Sequence, residues 1–184
     1  MKLIPSRDDL KLLDKRDFDQ LYSILCESFP SDELRSRQEH LKLLDHPCYQ
    51  VWAHYSGQEL QGFLTVWNLE TVAFVEHFAV KSTCRNSGLG SKMLQVLSQK
   101  LGKQLCLEAE LPETDIAKRR LGFYRRNGFF VNEFSYLQPA LEAGKSPVPL
   151  YILTTEAPLT EESFIKLKAE IYKIVYDGKN CGRA

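Results

Sequence analysis

The sequence reads as an α/β protein built on one mixed sheet, antiparallel early and parallel where helical crossovers occur, and three observations predict it. Apolar residues recur at helical spacing up to Asp45, then switch to the two-residue period of strands. Two strand-like runs flank Ser56-Gly57-Gln58, which makes them a hairpin. Strand and helix patterns then alternate, and a helical crossover is what parallel strands require.

Element by element, Phe18, Leu21, Tyr22 and Leu25 predict a helix over about Asp17–Ser28, broken by Phe29-Pro30-Ser31. Ser36-Arg37-Gln38-Glu39 has the form of a capping box and opens a second helix, about Arg37–Asp45, which Pro47 ends. The hairpin strands are Tyr49–Tyr55 and Leu60–Leu69, and Thr71–Val80 is a third strand. A helix follows from about Gly88 to Lys103, then a strand at Leu105–Leu111 and a helix at Asp115–Asn127 with Gly128 as its C-terminal stop. Phe129–Tyr136 and Leu150–Thr154 are late strands. Thr160 caps a last helix, about Glu161–Tyr176, striped by Phe164, Leu167, Ile171 and Ile174 or Val175. No repeat or linker divides the chain, so 1–184 reads as a single domain, with a core at about 15–155 and a helical extension at about 158–178.

Bulk composition excludes several function classes. Of 184 residues, 43% are apolar and 26% charged, and Lys+Arg and Asp+Glu both number 24. Such a balanced chain has no overall field to draw it to nucleic acid or to a membrane surface. Neither the N-terminus, MKLIPSRDDLKLLDKRDF, nor any later run has the apolar length of a signal peptide or a spanning helix. Cys26, Cys48, Cys84, Cys106 and Cys181 show no CxxC spacing, so the expectation is free thiols, a cytoplasmic protein and no metal.

The stretch Arg85-Asn86-Ser87-Gly88-Leu89-Gly90 is the first chemical signal. A Walker loop would need its glycines five apart with lysine directly after the second; position 85 is arginine, and Ser91 precedes Lys92. A dinucleotide fingerprint would need a small residue three after Gly90, where Met93 stands, although Glu108 and Glu110 lie near the distance of a ribose-binding acid. What remains is R-x-x-G-x-G between a strand and a helix. Backbone amides there, with the free donors of the first helical turn, can bind a diphosphate without lysine or magnesium.

With FYRRNGF at Phe123–Phe129 and the element order above, this loop makes the chain resemble the GNAT superfamily of acetyl-CoA-dependent N-acetyltransferases over about residues 15–155. The resemblance implies that Arg85, Asn86, Ser87, Gly88, Leu89, Gly90 and Ser91 hold the diphosphate of acetyl-CoA. It also implies that the strand before the loop splays from Leu105–Leu111, so that Phe78, Ala79 and Val80 pair with the pantetheine arm as an added strand would. The implied activity is acetyl transfer to the primary amine of a small molecule or peptide; the alternative is an inactive fold that only binds an acyl-CoA.

Direct attack on a thioester needs a neutral amine, hence a base. Period two places Phe74, Glu76, Phe78 and Val80 on one face and Val75, His77 and Ala79 on the other. Glu76, a carboxylate among apolar neighbours, is therefore the expected base or amine anchor, or else a structural carboxylate paired with an arginine. His77 has a suitable pKa but the wrong parity. Tyr124 of FYRRNGF is the expected acid for the departing thiolate. By the same resemblance the acceptor lies across the sheet, near Phe29, Glu33, Trp67, Tyr136 and the Gln138–Pro149 loop. The last helix is left to pack on the sheet, to extend the acceptor site or to make a homodimer contact.

Overall fold

The computed structural model describes residues 10–141 and 144–177. In chain order its elements are β1 (Lys11–Leu12), α1 (Phe18–Ser28), α2 (Arg37–Leu43), β2 (Tyr49–Ser56), β3 (Glu59–Asn68), β4 (Val72–Val80), α3 (Leu89–Leu101), β5 (Gln104–Glu110), α4 (Asp115–Arg126), β6 (Phe130–Gln138), β7 (Val148–Thr154) and α5 (Glu161–Ile171). The seven strands form one sheet in the order β1-β2-β3-β4-β5-β7-β6. Only β4 and β5 pair in parallel; the other adjacent pairs are antiparallel. This is the mixed α/β architecture expected from the sequence.

Local chemistry explains the boundaries. The capping box forms: Ser36 Oγ accepts from the Glu39 amide at 3.3 Å, and the Glu39 carboxylate accepts from the Ser36 amide at 3.3 Å. Gly57 turns the β2–β3 hairpin at φ +62°, and Gly128 ends α4 at φ +84°, conformations that favour glycine. Thr160 caps α5, accepting from the Ser163 amide at 3.2 Å. The last helix departs from expectation. Its α-helical part stops at Ile171, and Tyr172–Tyr176 continue as a wider π turn.

Apolar side chains fill both faces of the sheet. On one, Phe18, Leu21, Ile24 and Leu25 of α1 and Phe164, Leu167 and Ile171 of α5 meet Val51, Phe63, Trp67 and Phe74. On the other, Met93, Leu94, Val96 and Leu97 of α3 and Leu121 of α4 meet Leu64, Val66, Val75, Leu105 and Leu107. Each fully buried side chain of this size contributes about 1.5–3 kcal/mol of transfer free energy. The free-thiol expectation holds for Cys26, Cys84 and Cys106 but fails at Cys48, which is disulfide-bonded; Cys181 lies outside the described residues.

One irregularity positions the site. Thr65 stands opposite His77 and Val66 opposite Val75, so Glu76 is an extra residue in β4, a β-bulge. The parallel pairing of β4 with β5 ends there, at Val75 opposite Leu107. Beyond it Glu76–Val80 and Glu108–Glu110 diverge, and a cleft opens between them.

Candidate active site

The cleft has a volume of about 760 Å³ and passes through the plane of the sheet. At one end it is walled by Arg85, Asn86, Gly88, Leu89, Gly90 and Ser91, with Phe123 and Tyr124 of α4; at the other by Phe29, Glu33, Glu108, Gln138 and Tyr176. Phe78, Ala79 and Val80 form its floor along the open edge of β4.

The glycine loop is built to offer amides. Gly88 caps α3 at φ +82° with no side chain to satisfy the helix end. Among the described residues no hydrogen bond engages the amides of Asn86, Ser87, Gly88, Gly90 or Ser91. Asn86 itself sits at φ +62°, curling the turn inward. This row of unpaired donors fits a diphosphate, because N–H groups at a helix start carry partial positive charge. Ser87 is the exception among the loop residues: its hydroxyl donates to the Cys84 carbonyl at 2.7 Å and accepts from the Leu89 amide at 3.4 Å. Its side chain stabilises the turn and does not line the cleft. A Cβ on Gly90 would come within 3.3 Å of the Phe78 and Phe123 rings, so Gly90 is required by packing as much as by ligand approach. Arg85 uses Nε to donate to the Val80 carbonyl at 3.1 Å, which occupies one of that carbonyl's two acceptor positions.

Tyr124 reaches the cleft from α4, packed edge-on between Phe123 and Phe129 at ring distances of 5.4 and 5.5 Å. Its hydroxyl has no hydrogen-bond partner among the described residues, and burial pushes its pKa up to about 12. It is therefore a protonated phenol at neutral pH, free to donate.

The parity argument fails at the bulge. With Glu76 inserted, Glu76 and His77 turn to the same side, that of α1 and α5. His77 is saturated there: Nε2 lies 3.0 Å from the Glu33 carbonyl and Nδ1 3.3 Å from Thr65 Oγ1, while its ring meets Phe29 and His40 edge-on. Nε2 can only donate to a carbonyl, so the proton of the neutral ring sits there with Nδ1 accepting, and burial, by lowering the pKa, favours that neutral form.

Glu76 lines the cleft but both its oxygens are engaged. Oε1 is ion-paired with Arg35, and Oε2 accepts from Trp67 Nε1 at 2.8 Å. Burial alone would raise its pKa. The Arg35 charge and the two hydrogen bonds outweigh burial and hold the carboxyl at about 2. A carboxylate so acidic is a weak proton acceptor, so the geometry turns from the base reading toward the paired structural carboxylate. Trp67, expected near the acceptor, is 1% exposed and belongs to the core beneath Glu76. Tyr136 is likewise a core residue, 3% exposed, which touches the cleft only through its hydroxyl bond to Glu108 Oε1.

Sequence reasoning misses Glu108, weighing it only as a ribose acid. It lies on the same face as Glu76, across the gap, and Tyr176 Oη stands 2.8 Å from each of its oxygens. Burial raises its pKa; the Tyr136 and Tyr176 hydroxyls lower it, and the neighbouring Glu76 and Glu33 charges raise it, leaving it at about 7. The signal is present in LCLEAEL, where Glu108 is as conspicuous a mid-strand carboxylate as Glu76. Glu33 and Phe29 do line the cleft, and burial raises the Glu33 pKa, aided by Glu110. Arg120, also at the rim, is paired with Glu110 at 2.6 Å. Among the described residues no group of His, Cys, Asp and Glu is placed to hold a metal, and no helix is long and apolar enough to cross a membrane.

A bulged strand parting from its parallel neighbour, a glycine turn of free amides and a tyrosine beside the gap are the features that the sequence resemblance implies for an acyltransferase cleft. The model of the acetyltransferase (GNAT) family matches residues 18–129, and the chain belongs to that family. Among solved structures it is similar to a putative acetyltransferase of the GNAT family from Bacteroides thetaiotaomicron, at 29% identity and TM-score 0.84, covering 92% of this chain and 99% of that one. It shares its fold with the ribosomal-protein-S18-alanine N-acetyltransferase from Escherichia coli, at 17% identity and TM-score 0.62, over 83% and 96% of the two chains. The same holds for an aminoglycoside 6'-N-acetyltransferase complexed with coenzyme A, at 17% identity and TM-score 0.59, over 83% and 99%. A search of curated proteins returned no match. The protein is an acetyltransferase, and its family uses acetyl-CoA.

Proposed function

We propose that this acetyltransferase transfers the acetyl group of acetyl-CoA to a primary amine of a small molecule or peptide, by direct attack within a ternary complex. The observation that carries the reading is the sheet gap itself. Tyr124 and the amide-lined turn reach it from the α3/α4 face, and an ionisable carboxylate reaches it from the other. Donor and acceptor can thus meet in the gap without a covalent enzyme intermediate.

Acetyl-CoA, when bound, supplies the activated thioester. The amides of Asn86, Gly88, Gly90 and Ser91 hold its diphosphate, and Phe78 and Ala79 offer the backbone edge along which the pantetheine arm lies. Glu108 takes a proton from the acceptor ammonium, since a carboxyl titrating near 7 is about half ionised at neutral pH and suited to proton exchange there. As the N–C bond forms and the C–S bond breaks, Tyr124 Oη donates to the departing sulfur. Glu76 serves the site by holding Arg35 and Trp67. Glu33 and Glu108 make the acceptor end acidic, which favours a cationic amine.

The test is thiol release from acetyl-CoA against a panel of spermidine, an aminoglycoside and an alanine-terminated peptide. Acceptor-dependent release that drops at least about 100-fold in Tyr124→Phe is the expected result. Tight acetyl-CoA binding with no turnover across a broad panel would mean a binding module.

A further inference from the structure

The C-terminal turn lies outside the matched family region, 18–129, yet it enters the active site. Three contacts tie it there. Tyr176 Oη donates to Glu108, 2.8 Å from both carboxylate oxygens. Arg35 Nη2 donates to the Val175 carbonyl at 2.9 Å, while the same guanidinium pairs with Glu76. Tyr172 Oη donates to the Leu137 carbonyl at the end of β6. Ile174 and Val175 bury their side chains against the sheet, so the π turn is seated before its tyrosine reaches the cleft.

We propose that Tyr176, delivered by this turn, is a positioning residue for Glu108, and that the Glu76–Arg35 ion pair is the clamp that seats the turn. The proposal rests on the reading of Glu108 as proton acceptor. It explains why an expensive buried ion pair stands beside the cleft. A guanidinium with one arm on β4 and one on the Val175 carbonyl fixes how far Tyr176 extends. Tyr136 bonds Oε1 from β6, and Tyr176 spans both oxygens from the other side. Together they hold the carboxylate plane still and leave Oε2 with the greater free capacity to accept from an acceptor ammonium.

A merely structural tyrosine and a positioning one differ in what their hydroxyl does to Glu108. The groups facing that carboxyl are Tyr136 from β6, Tyr176 and Tyr172 from the C-terminal turn, Glu76 from β4, Glu33 from the segment before α2, and Cys106 on its own strand. Of these only the Tyr136 and Tyr176 hydroxyls stabilise the ionised form by hydrogen bonding. Removing one therefore makes Glu108 titrate at higher pH.

The full chain is labelled with glutamate carrying ¹³C at Cδ and titrated by NMR, the Glu108 resonance being the one missing from Glu108→Gln. In Tyr176→Phe the Glu108 midpoint is expected about one pH unit higher, a tenfold smaller ionised fraction on the acid side. Tyr136→Phe moves it the same way and supplies the comparison should Tyr176→Phe fold poorly. With the most active amine of the panel, the acid limb of kcat/KM shifts upward by the same amount while acetyl-CoA affinity stays unchanged. A Glu108 midpoint that does not move in a folded Tyr176→Phe overturns the positioning role. Full thiol release by Glu108→Gln overturns instead the reading of Glu108 as the base, and the two failures are thereby told apart.

Discussion

The two strands that part at the cleft each carry a buried glutamate on the same face, and the two are held in opposite states. Glu76 on β4 faces a guanidinium and an indole N–H, and is a permanent anion with its pKa at about 2. Glu108 on β5 faces two phenols and other carboxylates, and titrates at about 7. Residue type is the same and both line the same cleft, but Glu76 sits at the bulge of β4 and Glu108 in the regular ladder of β5, and their partners differ in charge. A full countercharge turns a buried carboxylate into scaffold, whereas neutral donors leave it able to exchange a proton.

The sharpest way to break that contrast is to neutralise one carboxylate and to strip the other of its countercharge. Glu108→Gln is expected to lower kcat by about 10²–10⁴-fold and to abolish the rise of rate with pH centred near 7, as read by thiol release over a pH series. Arg35→Met leaves the Glu76 charge buried without its partner and is expected to cost about 3–5 kcal/mol in urea denaturation.

A gentler test uses pH alone. Glu76, with a depressed pKa, contributes stability that is complete above pH 4.5 and is lost as pH falls toward 2. Glu108, with a raised pKa, contributes stability that is complete below 4.5 and is lost as pH rises through 7. Urea midpoints of Glu108→Gln should therefore fall less between about pH 5 and 8 than those of the wild type; a parallel pH dependence would contradict the assignment. The smallest effect is expected at the other end of the cleft. Gly88→Val must hold φ near +82° and is expected to weaken acetyl-CoA binding about tenfold by calorimetry while the chain remains folded. Unchanged affinity in that folded variant would remove the diphosphate from this turn.

Much of this site is legible locally. The helix caps, the hairpin, the glycine turn and Tyr124 depend on residues within a few positions of one another, and each stands where spacing puts it. The faces of β4 come out wrong because period-two parity assumes an unbroken ladder. One extra residue at Glu76 reverses it and brings His77 to the side that parity denies it. Trp67 and Tyr136 suit the acceptor pocket by residue type, but aromatic side chains suit pocket and core alike, and packing takes both into the core.

Short-range propensities, caps and periodicity are enough to specify the α/β class, the order of elements and the loop that can grip a diphosphate. Which carboxylate is locked and which can titrate is settled only on folding. It rests on Arg35 meeting Glu76 across 41 positions and Tyr176 meeting Glu108 across 68. The electrostatics of a buried group are set by whatever the fold brings within hydrogen-bond reach, and such distant neighbours leave no trace in local pattern.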